Sequence, residues 1–148
     1  MIGRFEIFTL ALSDILTSWN KIATEELKPY DLKGTYVVYL IALYKNSEGL
    51  TSANLCELCN KDKAEVSRAV LDLEKKEIIE RTNVTVNGYR AKITLTEKGR
   101  EITFALRERI KLAVEKGGIG LSEEQRESFY EALETISINL KQITKEGL

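Results

Sequence analysis

Apolar residues recur along the N-terminal segment at alternating spacings of three and four: Phe5, Phe8, Leu12, Ile15, Trp19 and Ile22. That period lays one apolar stripe along a helix and predicts one that ends before Pro29, the only proline in the chain. The C-terminal segment repeats the pattern with Phe129, Leu133, Ile136, Leu140 and Ile143, behind a capping box opened by Ser122 and answered by Gln125. Between these seams, the unbroken apolar run Tyr36 to Tyr44 predicts a buried helix from about Tyr36 to Lys45. A long helix from about Glu97 to Lys116 precedes the glycine-rich joint at Gly117, Gly118 and Gly120. Two terminal seams of this length require apolar cover, from the chain's own core or from another chain.

The stretch from Leu50 to Leu95 has a different rhythm. A short helix is expected after Thr51, with a break at Asn60 and Lys61, and then a longer helix capped by Asp62, with Glu65 placed to complete a capping box. Turned at 100° per residue, the second helix sets Val66, Val70 and Leu73 on one side and Ala64, Arg68 and Lys75 opposite. This is a helix-turn-helix pattern. On its outer side Arg68 is suited to guanine O6 and N7 or to a phosphate, Ala64 is small enough for close approach, and Lys63 and Ser67 are placed for backbone contacts. The alternative is an amphipathic surface helix with a solvated charged face.

Asn87 and Gly88 then signal a tight hairpin turn. A two-residue loop pairs Val86 with Tyr89, Val84 with Ala91 and Thr82 with Ile93, which gathers the apolar residues on one face and Arg81, Asn83, Thr85, Arg90 and Lys92 on the other. A two-stranded ribbon with a basic face beside a helix-turn-helix reads as a wing, with Arg90 near the tip and Lys92 on the phosphate side. The competing reading is a solvated edge hairpin.

These residues resemble the winged-helix core of the MarR (multiple antibiotic resistance regulator) transcription factors. The resemblance is carried by Thr51 to Leu58, by Asp62 to Arg68, by Leu73 to Lys76, by Ile79 to Arg81, and most specifically by Leu95, Thr96, Glu97, Lys98 and Gly99 at the end of the wing. It implies a mainly α fold with a small β wing: a winged helix-turn-helix over about 32–95, and helices over about 1–28 and 97–146 that interlock with a second subunit, all within one unit of residues 1–148. It also implies a homodimer on a pseudo-palindromic double-stranded operator, expected to act as a repressor and to respond to a small aromatic or phenolic effector. Trp19, Tyr36 and Tyr39 lie on helices that border the effector cavity in that family, although aromatic residues at helical spacing equally suit a plain core. The chain departs from the family pattern at three places. Glu77 stands where glycine usually ends the recognition helix, so no left-handed glycine is expected there; the wing tip is one basic residue poorer; and Leu71 and Asp72 replace an acidic-then-basic pair.

Composition sharpens this picture. Over 148 residues the net charge is only -1, yet residues 61–116 hold 14 basic and 10 acidic side chains, so the positive excess falls on the expected DNA-reading parts. The apolar runs are too short to span a membrane and the start does not read as a secretory signal, which places the protein in the cytoplasm. Cys56 and Cys59 form a CxxC inside a short helix, and with no histidine in the chain they lack the partners of a zinc site; core packing is the expectation, with a redox-sensing regulator as the alternative. An enzyme is disfavoured, since neither a phosphate loop nor a catalytic constellation is present, and no catalytic residue, metal or cofactor is expected. A winged-helix module that binds protein remains the other class, and it would present apolar or acidic surface where this chain has Arg68, Lys75, Arg90 and Lys92.

Overall fold

The computed structural model describes residues 3–82 and 91–148. In chain order the elements are α1 (Arg4–Leu27), two single 3-10 turns (Lys28–Tyr30 and Gly34–Tyr36), α2 (Val37–Lys45), α3 (Ser52–Cys59), α4 (Lys63–Lys75), β1 (Ile79–Thr82), β2 (Lys92–Leu95), α5 (Glu97–Gly117) and α6 (Glu123–Glu146). The chain forms two compact units, residues 1–107 and 108–148, with the boundary inside α5. No helix among the described residues is long and apolar enough to cross a membrane.

The first unit is organised around side chains from each of its α-helices and strands. Leu27 of α1, Leu40 and Leu43 of α2, Leu55 of α3, Val66 and Leu73 of α4, Ile79 of β1, Ile93 of β2 and Leu106 of α5 are all buried. The two short helices begin as their sequences direct. Thr51 and Asn54 form a reciprocal capping box at α3, and the Asp62 carboxylate accepts the Glu65 N–H of α4 at 2.8 Å. The returning half of the second box is missing among the described contacts; the Glu65 carboxylate lies 4.0 Å from the Lys61 ammonium instead.

Three helices end in the same way, each without glycine. Asp31, Asn60 and Glu77 adopt left-handed φ values of 55°, 51° and 59° after α1 and its 3-10 turn, α3 and α4. Behind α4 the Ile78 N–H donates to the Leu73 carbonyl and the Glu77 N–H to the Glu74 carbonyl, with Leu73 and Ile78 buried together beneath them, which is the full Schellman arrangement. The expectation that Glu77 would abolish the left-handed end is therefore corrected. The chain keeps the turn because Ile78 must enter the core, and it tolerates a side chain where glycine costs less.

The sheet corrects the expected register by one residue. Ile79 pairs with Leu95, Glu80 with Thr94, Arg81 with Ile93 and Thr82 with Lys92. Pairing Thr82 with Ile93 would have set Glu80 opposite Leu95 and turned a carboxylate toward the core. The observed register instead joins Ile79, Leu95 and Ile93 on the buried face, and Leu50 locks it by exchanging both backbone hydrogen bonds with Ile93 at 3.0 and 2.8 Å. The expected turn residues Asn87 and Gly88, with Val84, Val86 and Tyr89, lie outside the described residues.

The strand-to-helix corner explains the most specific stretch of sequence. The Thr96 N–H donates to the Ile78 carbonyl, the Thr96 hydroxyl donates to the Glu77 carbonyl at 2.7 Å, and its oxygen accepts the Gly99 N–H at 3.0 Å, capping α5. Gly99 is required by space rather than by φ, because a Cβ there would collide with the Ile78 carbonyl. Tyr44 of α2 fastens the same helix, with the Arg100 and Arg107 guanidinium groups 5.2 and 4.6 Å from its ring centre.

The terminal helices are another matter. Of α1 only Ala23 and Leu27 are buried, while Phe5, Phe8, Leu12, Ile15 and Ile22 are exposed, Phe5 by 74%. In the second unit, α6 opens with the expected reciprocal box of Ser122 and Gln125 and has no buried residue; Phe129, Leu133, Ile136 and Leu140 all face outward. The glycine joint is closed by Arg126, whose guanidinium donates to the Gly118 carbonyl at 2.9 Å.

Candidate nucleic-acid interface

The second helix of the helix-turn-helix, α4, buries Val66, Ala69, Val70 and Leu73 and leaves Lys63, Ala64, Ser67, Arg68, Leu71 and Lys75 exposed. The five sequence-predicted contacts of this helix therefore share one open side. Its carboxylates are all spoken for. Asp62 caps the helix and its pKa is lowered, first by the Glu65 N–H that it accepts; Glu65 lies beside Lys61; Asp72 sits 3.5 Å from Lys76; and Glu74 receives the Arg81 guanidinium at 3.1 Å. Among the described residues Lys63, Arg68 and Lys75 have no hydrogen-bond or ion-pair partner. The helix thus presents three cations without a hydrogen-bonded or ion-paired carboxylate, where repulsion between them is relieved by a polyanion.

Only the base of the expected wing lies among the described residues. Lys92 lies on the outer face of β2 and is half-buried, and Arg90 lies outside the described residues. The register change moves Arg81 to the face of Ile93, opposite to that of Lys92, so the two do not form one basic surface. Arg81 neutralises Glu74 instead.

Behind α4 runs a polar network that the residue pattern alone did not reveal. The buried Tyr36 donates its hydroxyl to Asp72 Oδ2 at 2.6 Å, and Lys76 joins that carboxylate to Asp31, donating also to the Asp31 carbonyl. The Tyr36 bond, ahead of Lys76, holds Asp72 below the usual carboxylate range, while burial and then the same bond push Tyr36 well above the ordinary tyrosine value. Asp31 and Asp72 are far apart in sequence, so only folding shows that the turn after α1 and the end of α4 share one cation, Lys76.

The three expected effector residues separate. Tyr36 and Tyr39 are buried, with ring centres 6.3 Å apart, and burial above all pushes Tyr39 up to about 12; Trp19 is half-buried on α1. The cysteines are not core residues: neither forms a disulfide and both are of intermediate exposure, because Leu55 is the single buried position of α3. Cys59 faces the Val38 carbonyl at 3.6 Å. Among the described residues no cluster of three or more His, Cys, Asp or Glu side chains is placed to hold a metal ion. Leu71 is absent from the expected contacts even though the same 100° rotation places it between Arg68 and Lys75; its apolar character hid it.

No protein-family model matches the chain. Among curated proteins it is 26% identical over 127 residues, 86% of this chain and 84% of the relative, to YybA of Bacillus subtilis, described as an uncharacterized HTH-type transcriptional regulator. Among solved structures it superposes with a TM-score of 0.85 on a putative MarR-family regulator from Listeria monocytogenes complexed with 26mer DNA, at 21% identity over 99% of this chain and 97% of that one. A MarR transcriptional regulator from Methanosarcina mazei gives a TM-score of 0.84 at 20% identity, over 97% and 94% of the two chains.

Proposed function

We propose that this chain, which has the fold of the MarR-family transcriptional regulators, is a sequence-specific double-stranded DNA-binding regulator that works as a homodimeric repressor and not as an enzyme. One observation carries the DNA reading: every carboxylate of α4 is matched or capping, while Lys63, Arg68 and Lys75 on its open side are unmatched. A wing with Lys92 and Arg90 adds backbone contacts.

Dimerisation through residues 1–28 and 97–146, with the winged helix-turn-helix over 32–95, supplies the cover that the apolar faces of α1 and α6 lack. A twofold axis would present two copies of α4 to half-sites roughly 34 Å apart. A small aromatic effector acting near Trp19, Tyr36 and Tyr39 would work by shifting that spacing. A tenfold loss of DNA affinity requires a preference of about 1.4 kcal/mol for the mis-spaced state.

The test is fluorescence anisotropy on DNA from the protein's own promoter region and on random duplex, over a salt series. Promoter DNA should bind more tightly, and Arg68→Ala should weaken that binding by roughly 1–3 kcal/mol while leaving random DNA less affected. Equal affinity for both duplexes would refute sequence-specific reading.

A further inference from the structure

On α4 one large apolar side chain is exposed, and it is Leu71, with 57% of its surface open to solvent. Its place is not at the edge of the open side. Positions 64, 68, 71 and 75 follow one another at steps of four, three and four, so Leu71 rises between Arg68 and Lys75 along the helix, one turn beyond Ser67 and two beyond Ala64. The core needs nothing from it, since Val66, Ala69, Val70 and Leu73 already fill the buried side.

We propose that Leu71 is a specificity residue that packs on the 5-methyl group of a thymine in the major groove; this rests on the reading of α4 as the DNA-facing helix. The chemistry is that of an apolar island within a cationic field. Arg68 and Lys75 draw the face onto a polyanion, and the major-groove edge of DNA offers few apolar groups apart from the thymine methyl. A protein partner is a poorer match, because a single apolar residue surrounded by Lys63, Arg68 and Lys75 buries little area and strands three cations. Ala64 and Ser67 are too short to hold the helix away from the bases, so a leucine one turn after Ser67 reaches the groove floor.

The experiment begins by selecting duplexes from a random library with the wild-type full-length protein, then replaces each thymine of the tightest duplex in turn by uracil, which removes the methyl group alone. At one thymine per half-site the wild type should bind about fourfold more weakly, the worth of one buried methyl. Leu71→Ala should bind thymine and uracil versions equally at that position, and Leu71→Met should keep the preference. Because Leu71 faces solvent, both variants should melt with the wild type. If a duplex is selected but no thymine responds, or the response survives in Leu71→Ala, the role of Leu71 is refuted and DNA reading stands. If no duplex is enriched at all, the DNA reading falls and this inference falls with it.

Discussion

Helix α4 and the terminal helices are both amphipathic, and they are finished to different degrees. On α4 Val66, Ala69, Val70 and Leu73 are buried, each carboxylate has its cation or caps the helix, and what stays open is cationic and small apart from Leu71. On α1 and α6 the open side is the apolar one: Phe5, Ile15, Phe129 and Leu133 face solvent. An amphipathic helix reports its missing partner by the side left uncovered. The first leaves cations open, as the proposed DNA reading requires; the others leave apolar surface open, as the proposed pairing with a second copy of the same chain requires.

The largest effect should come from charging the uncovered apolar side. Leu133→Glu leaves the isolated chain without a new buried charge, since that side chain is exposed, but it buries one in any dimer and should weaken association by about 3 kcal/mol or more. Sedimentation equilibrium at micromolar concentration should show a dimer for the wild type and a monomer for the variant. A wild-type monomer would break the comparison, since the terminal stripes would then have no cover.

A smaller effect tests how firmly α4 is tied to the elements behind it. Tyr36→Phe removes a hydrogen bond to a charged acceptor and should cost about 1–2 kcal/mol in denaturant unfolding. The pH dependence should change at both ends. Asp72 has a folded pKa below its unfolded value, so its contribution is complete above the ordinary carboxylate pKa and is lost as pH falls toward the folded one. The variant removes the main cause of that depression and should flatten the acid limb. Tyr36 is raised, so its contribution is complete below the ordinary tyrosine value and declines as pH climbs beyond it; the alkaline loss should be milder in the variant. Unchanged pH profiles would mean that Asp72 is held by Lys76 alone.

The smallest effect concerns the end of α4. Glu77→Gly relieves a left-handed residue while loosening the unfolded chain, and should stabilise by about 0.5–1 kcal/mol, read as a rise in the urea midpoint. The same change at Asn60 should do less, because asparagine already suits that conformation.

Much of this arrangement is local and was legible in the chain. Thr51, Asp62 and Ser122 begin their helices where their side chains can reach an N–H three residues on, and Asn60 ends one because its short amide tolerates the left-handed region. The order of elements, the two terminal stripes and the faces of α4 follow from spacing alone, since rotation per residue is a property of the helix. Tertiary structure decided what depends on distant partners. The register of β1 and β2 goes with the pairing of Leu50 with Ile93 and the burial of Ile79 opposite Leu95. Pairing of Arg81 with Glu74, of Tyr36 with Asp72 and of Lys76 with Asp31 joins residues whose separation in the sequence carries no signal. The half-exposure of Cys56 and Cys59 and the solvent-facing position of Leu71 have the same origin: residue type states a preference for burial, and only the neighbouring elements determine whether there is room for it.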